Sequence, residues 1–128
     1  MSLQNILQTF AVINPNKQVS TEIADSSLYQ RLNEDYNSFK GCELVSCYTF
    51  DKDWDSWEIH PAGDELVILM SGLVTFVIES GVETRETCLS KPGDYVVVPK
   101  GHWHTARLSK SSTVLFITPG EDTQHRSA

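Results

Sequence analysis

From residue 43 to residue 118 the chain is cut into short apolar runs by clusters of Gly, Pro, Asp and Ser, a punctuation that leaves little room for any fold but an all-β one. The runs are Glu43–Phe50, Trp57–His60, Glu65–Met70, Leu73–Glu79, Thr84–Leu89, Tyr95–Val98, His104–Leu108 and Thr113–Thr118. Turns are expected at Asp51–Asp55, Pro61–Asp64, Ser71-Gly72, Ser80-Gly81, Pro92-Gly93, Pro99–Gly101 and Ser109–Ser112. Short strands at roughly 8–12-residue spacing predict a β-sandwich or barrel.

Ahead of the strands the texture differs. Residues 3–13 are apolar enough to dock as a strand or a short helix, and Asn14-Pro15-Asn16-Lys17 reads as a turn. From Asp25 a helix is predicted. Leu28, Leu32, Tyr36 and Phe39 recur at helical spacing, Asp25 or Ser26 can cap the start, and Gly41 can end it. That stripe reads as core packing. The 128 residues carry no repeat or linker and make one domain: an extension with a helix (1–41), a β core (43–119) and a polar tail (120–128) expected to be loose.

A net charge of -7, with Lys and Arg scattered, argues against nucleic acid and anionic membranes as partners. No apolar run reaches the roughly eighteen residues of a membrane span. The N-terminus lacks a basic segment followed by an apolar core, and the three cysteines (Cys42, Cys47, Cys88) form no CxxC, so a reducing cytoplasmic setting is expected. Cys47 and Cys88 read as buried structural thiols.

Two segments carry chemistry. Gly93–His104 reads G-x5-P-x-G-x2-H, a strand running into a Pro/Gly turn that delivers His104 onto the next strand. Upstream, Glu58–Gly72 reads E-x-H-x4-E-x6-G. At average Gly and Pro usage the second pattern alone should arise by coincidence in about one chain in a thousand of this size. Glu58 and His60 are two apart and share a strand face, with Trp57 and Ile59 on the other. The Pro61–Asp64 turn then brings in Glu65, with Val67 and Leu69 continuing on its face. Glu58, His60, Glu65 and His104 therefore offer two imidazoles and two carboxylates to one divalent ion. Such mixed N/O ligands suit Mn, Fe, Zn or Ni, and four of them leave open positions for a small oxygen-bearing molecule.

These motifs resemble those of the cupin superfamily, whose usual patterns are G-x5-H-x-H-x3,4-E-x6-G and G-x5-P-x-G-x2-H-x3-N. The resemblance covers residues 57–108 directly and about 43–119 by strand count. It implies a small jelly-roll β-barrel, often a homodimer, holding a metal through three histidines and a glutamate. His60, Glu65 and His104 match the second histidine, the glutamate and the last histidine. Glu58 stands in place of the first histidine and Leu108 in place of the asparagine. The chain also looks like small bacterial single-domain cupins with a W-E-x-H-P-x-G-D-E pattern, an N-terminal helix and a closing T-P-G-x-x-T-x-H-R segment, here Thr118–Arg126.

Other side chains are assigned lesser roles. His102 shares strand parity with His104 and is a candidate outer-sphere acid/base or alternative ligand. Trp54, Trp57 and Trp103 read as core or interface packing that can edge a pocket, and Tyr48 and Phe50 as cavity lining. Arg107 is expected in an ion pair, Asp64 in its own turn and His125 in solvent. The functional expectation is a metal-dependent enzyme acting on a small oxygen-rich metabolite by metal polarisation, of oxygenase, isomerase or lyase type, with Glu58 or His102 as the proton-moving catalytic group. The alternative is a non-catalytic module that binds or senses a small ligand. A weaker third is a degenerate barrel serving only as a dimeric structural partner.

Overall fold

A computed structural model of the chain describes residues 2–128. Its elements are β1 (Thr9–Ile13), β2 (Val19–Ile23), α1 (Leu28–Asp35), a 3-10 turn (Asn37–Phe39), β3 (Glu43–Phe50), β4 (Ser56–Ile59), β5 (Glu65–Ser80), β6 (Glu83–Leu89), β7 (Tyr95–Val98), β8 (His104–Thr118) and β9 (Gln124–Ser127). The fold is mostly β, as the punctuation predicts. The 3–13 segment resolves into β1, which forms a hairpin with β2 across the Asn14–Lys17 turn.

All nine strands among the described residues join one antiparallel ladder, and two long strands bend it into facing layers. The first half of β5 lies between β7 and the second half of β8, which in turn pairs with β3. The second half of β5 lies between β6 and the first half of β8, which meets β4 at His104. Inward residues of both halves of β5 (Val67, Leu69; Val74, Phe76, Ile78) share one core with Val98, Ala106, Val114 and Phe116. Each of the Val, Leu, Ile and Phe side chains contributes roughly 1.5–3 kcal/mol by burial. Among the described residues no pairing closes the ladder into a ring, so the expected barrel is an open one.

The breaks expected at Ser71-Gly72 and Ser109–Ser112 are bulges inside continuous strands. Gly72 has φ +108, and a Cβ there would lie 2.3 Å from the Ser112 hydroxyl. That hydroxyl accepts the Leu73 N–H at 2.9 Å and donates to the Lys110 carbonyl, filling the interrupted ladder. The bulge also switches the inward parity of β5 from odd to even residues.

Helix α1 is shorter than its apolar spacing predicts. It ends at Asp35, because Asn37, Ser38 and Phe39 all take left-handed φ (52, 57 and 60) and turn the chain toward β3. It also starts later, at Leu28 with Ser27 as its N-cap and no side-chain cap bond; Asp25, expected as a cap, instead accepts the Ser27 N–H and the Arg31 guanidinium. Leu28, Leu32 and Phe39 pack with Phe10, Val12 and Leu44 in a second core.

Two further expectations are corrected. The tail is docked: Gln124–Ser127 pairs with β4 as β9, and the Arg126 guanidinium lies 5.0 Å from the Trp57 ring centre and 4.6 Å from that of Trp103 while bonding Glu79. Cys88 is exposed rather than buried, because the outer face of β6 is uncovered; Cys42 and Cys47 are buried. Among the described residues no helix is long and apolar enough to cross a membrane.

Candidate functional site

The two sequence motifs meet through their turns before their side chains meet. The Lys100 N–H donates to the Asp64 carboxylate at 2.7 Å, and the Gly101 N–H to the His60 carbonyl at 3.1 Å. Asp64, expected to pin its own turn, thus pins the second turn to the first. Glu58 sits opposite His104 in the β4–β8 register. Strand alternation then aims Glu58, His60, Glu65 and His104 into the space between the layers.

Donor atoms of Glu58, His60 and His104 all lie within 4.8 Å of one another. Glu65 completes the cluster, with Oε2 3.3 Å from His60 Nε2 and Oε1 3.2 Å from His104 Nε2. Glu58 Oε2 is 3.6 Å from His60 Nε2 and 4.0 Å from His104 Nε2. All four residues that the spacing singles out are brought together.

The hydrogen-bond network assigns both tautomers. His104 Nδ1 faces the His102 carbonyl at 3.3 Å, which can only accept, so Nδ1 carries a proton. His60 Nδ1 lies 2.8 Å from the Thr123 hydroxyl, which itself donates to the Gly120 carbonyl, so His60 Nδ1 is again the donor. Neutral imidazoles of this kind turn bare Nε2 lone pairs toward the carboxylates. Both Nε2 atoms and Glu65 Oε1 are buried without a hydrogen-bond partner. Buried polar atoms left this way are rare and costly. A metal ion between them would satisfy all three, whereas a single proton can bridge only one pair.

The titration behaviour follows. Burial pushes the Glu65 carboxyl up; where protons rather than a metal ion occupy the cluster, hydrogen bonds from the Nε2–H groups of His104 and His60 and their charge outweigh it and hold it at about 2. Burial pulls His104 down, yet the neighbouring Glu65 and Glu58 carboxylates leave it raised. Glu65 Oε2 also accepts from the Thr118 hydroxyl at 2.5 Å.

The cluster opens on a cavity of about 940 Å³ between the two cores. Tyr48 and Phe50 line it, as strand parity predicts, and so does Trp54, which packs on His104 at 6.1 Å between ring centres. Trp57 and Trp103 clamp Arg126 instead. Arg107 pairs with Glu86 at 2.9 Å. His102 does not line the cavity; its ring bonds the Lys100 carbonyl and only its backbone oxygen reaches His104. His125, expected in solvent, keeps an exposed face but lies 3.3 Å from Glu58 Oε1 and lines the cavity.

Sequence reasoning missed Thr118, Thr123 and the Tyr29–Tyr48 hydroxyl pair, 2.6 Å apart at the cavity wall. Thr118 shares strand parity with His104 and was legible. Thr123 sits within the closing T-x-H-R segment, but the fold of the tail was needed to place it.

No family model matches the chain, and no curated protein matches it. Solved structures do. A cupin-2 domain protein from Shewanella frigidimarina is 21% identical over 60% of this chain and 70% of its own, with a TM-score of 0.51. A cupin superfamily protein from Desulfitobacterium hafniense is 21% identical over 59% of this chain and 65% of its own, with a TM-score of 0.50. A hydroquinone 1,2-dioxygenase, solved with Cd2+ and 4-hydroxybenzonitrile, is 18% identical over 59% of this chain and 56% of its own, with a TM-score of 0.50. This chain spans less than two thirds of the length of the latter two. The fold they share with it is the cupin fold.

Proposed function

We propose that this cupin-fold chain holds a divalent metal ion on Glu58, His60, Glu65 and His104 and acts on a small organic molecule bound in the adjoining cavity. The observation that carries the reading is the convergence of two bare Nε2 atoms and an unpartnered carboxylate oxygen in a buried site. When bound, the ion supplies Lewis-acid polarisation of an oxygen of the substrate. The chain's own residues do the rest. Thr123 and the His102 carbonyl orient the two imidazoles, Thr118 orients Glu65, and the aromatic wall excludes water. Glu58, which lines the cavity and is partly exposed, is the group placed to move a proton. This reading leaves His102 out, because its ring bonds the Lys100 carbonyl.

Metal analysis tests this. Purified protein loaded with Mn, Fe, Zn or Ni at neutral pH should retain about one ion per chain, and His104→Ala and Glu65→Gln should lower retention without loss of the β fold. Undiminished stoichiometry in both variants counts against the assignment. Tight ligand binding with no turnover across a metabolite panel would move the chain to the binding-module reading.

The proposal includes a homodimer. Its support is the outer face of the sheet carrying β3, β8, β5 and β7, where Val45, Leu115, Ile117, Leu66 and Ile68 are only partly covered and Tyr95 and Val97 are exposed. Sedimentation should give twice the chain mass, and Ile68→Glu should shift it to the monomer. A monomeric wild type removes the dimer.

A further inference from the structure

The cavity wall is charged almost wholly in one sense. Asp51, Asp53, Asp55, Glu58, Glu65 and Asp122 line it, against a single lysine among the described residues, the exposed Lys52. Among the described residues no arginine lines it. Between the acidic rim and the buried cluster the wall is aromatic, formed by Tyr29, Phe39, Tyr48, Phe50, Trp54 and Phe116. At its floor is His60, whose unpartnered Nε2, together with that of the fully buried His104 across Glu65, marks where a ligand group or ion is engaged.

Resting on the metal-site reading above, we infer that this site takes an uncharged or cationic molecule with an apolar, ring-bearing body, and discriminates against anions. The charges of Glu58 and Glu65 cancel those of a bound 2+ ion, so the ion itself draws no anion inward. The four rim aspartates then stand against Lys52 alone. A carboxylate or phosphate entering the cavity meets three uncompensated like charges and no guanidinium to pair with. Acting through water over several ångströms, these combine to about a tenfold penalty at low salt. A neutral amide or phenol escapes that penalty and keeps the ring contacts. An ammonium gains from both the carboxylates and the aromatic faces.

Three probes of matched shape separate the cases: benzylamine, benzamide and benzoate, titrated calorimetrically into metal-free and zinc-loaded protein. Benzylamine and benzamide should bind about tenfold more tightly than benzoate in the zinc-loaded form at low salt, and by at least that margin in the metal-free form, where Glu58 and Glu65 are not neutralised by an ion. The gap should narrow at 0.3 M salt and in the Asp51→Asn/Asp55→Asn/Asp122→Asn variant, whose folding circular dichroism checks. The salt series on wild-type protein reads the same effect without any substitution. Benzoate binding as tightly as benzamide, a gap indifferent to salt, or no binding of either benzamide or benzylamine overturns the inference. A chain that fails to hold zinc but keeps the order defeats the metal reading alone; one that holds zinc and prefers benzoate defeats this inference alone.

Discussion

Replacing Gly72 with alanine tests the device that bends the ladder. At φ +108 an L-residue is strained, which costs about 1–3 kcal/mol. The new Cβ would also fall 2.3 Å from Ser112 Oγ, 2.5 Å from Ser112 Cα and 2.6 Å from the Ser111 carbonyl. Two of these three atoms are backbone, so no rotamer change relieves the overlap, and overpacking adds about 1–3 kcal/mol. Gly81 is the control. It too has positive φ, +69, but nothing lies within 4 Å of its Cβ position, so Gly81→Ala should cost only about 1 kcal/mol. Urea unfolding of both variants should place Gly72→Ala at least about 2 kcal/mol below Gly81→Ala, a melting difference of roughly 8 °C for a chain of this size. Because the bulge sets which β5 residues point inward, Glu65 included, Gly72→Ala should also bind metal less tightly. Equal stability of the two variants refutes the account of the bend.

Two other substitutions read the site and its roof. Thr123→Val removes the oxygen that fixes the His60 tautomer and should weaken metal binding by about 10–100-fold with little loss of stability; competition against a chelator measures it, and an unchanged affinity refutes the orienting role. Hydrogen bonds from Arg31 and then Tyr36 hold the Glu22 carboxyl below its ordinary value of 4.5, tying β2 to α1. A depressed carboxylate stabilises the fold fully above its unfolded pKa and loses that contribution as pH falls through its folded value. Between pH 6 and pH 3 the wild-type urea midpoint should therefore drop further than that of Glu22→Gln; parallel curves refute it.

The β content and the four converging side chains were legible because both follow from period and parity. Glu58 and His60 must share a face, and a Pro/Gly turn must aim His104. What escaped depends on contacts between distant segments. Ser71-Gly72 and Ser109–Ser112 each look like a strand break, and only their mutual contact makes them a bulge in continuous strands. The helix stops early because Asn37–Phe39 take left-handed φ, which the apolar spacing of Tyr36 and Phe39 cannot reveal. The tail is polar in composition, yet Arg126 between two indoles and Thr123 on His60 hold it. His102 has the right parity for the site but lies before the start of β8, where alternation has not yet begun.

The departure at residue 58 has a physical consequence that unites the site with its cavity. Three imidazoles and one carboxylate around a 2+ ion would leave a net positive centre, an attractor for anions. With Glu58 in place of an imidazole that excess vanishes. The two carboxylates also differ in kind. Glu65, with 3% of its side chain exposed and clamped by Thr118 and both imidazoles, is a fixed anion. Glu58 is 28% exposed, faces the cavity and shares one oxygen with His125 on the docked tail. Burying a second carboxylate as deeply as the first would demand more compensating charge than two neutral imidazoles supply. Partial exposure lowers that demand, so Glu58 can stay at the mouth of the site with Oε2 toward the two imidazoles and Oε1 toward His125.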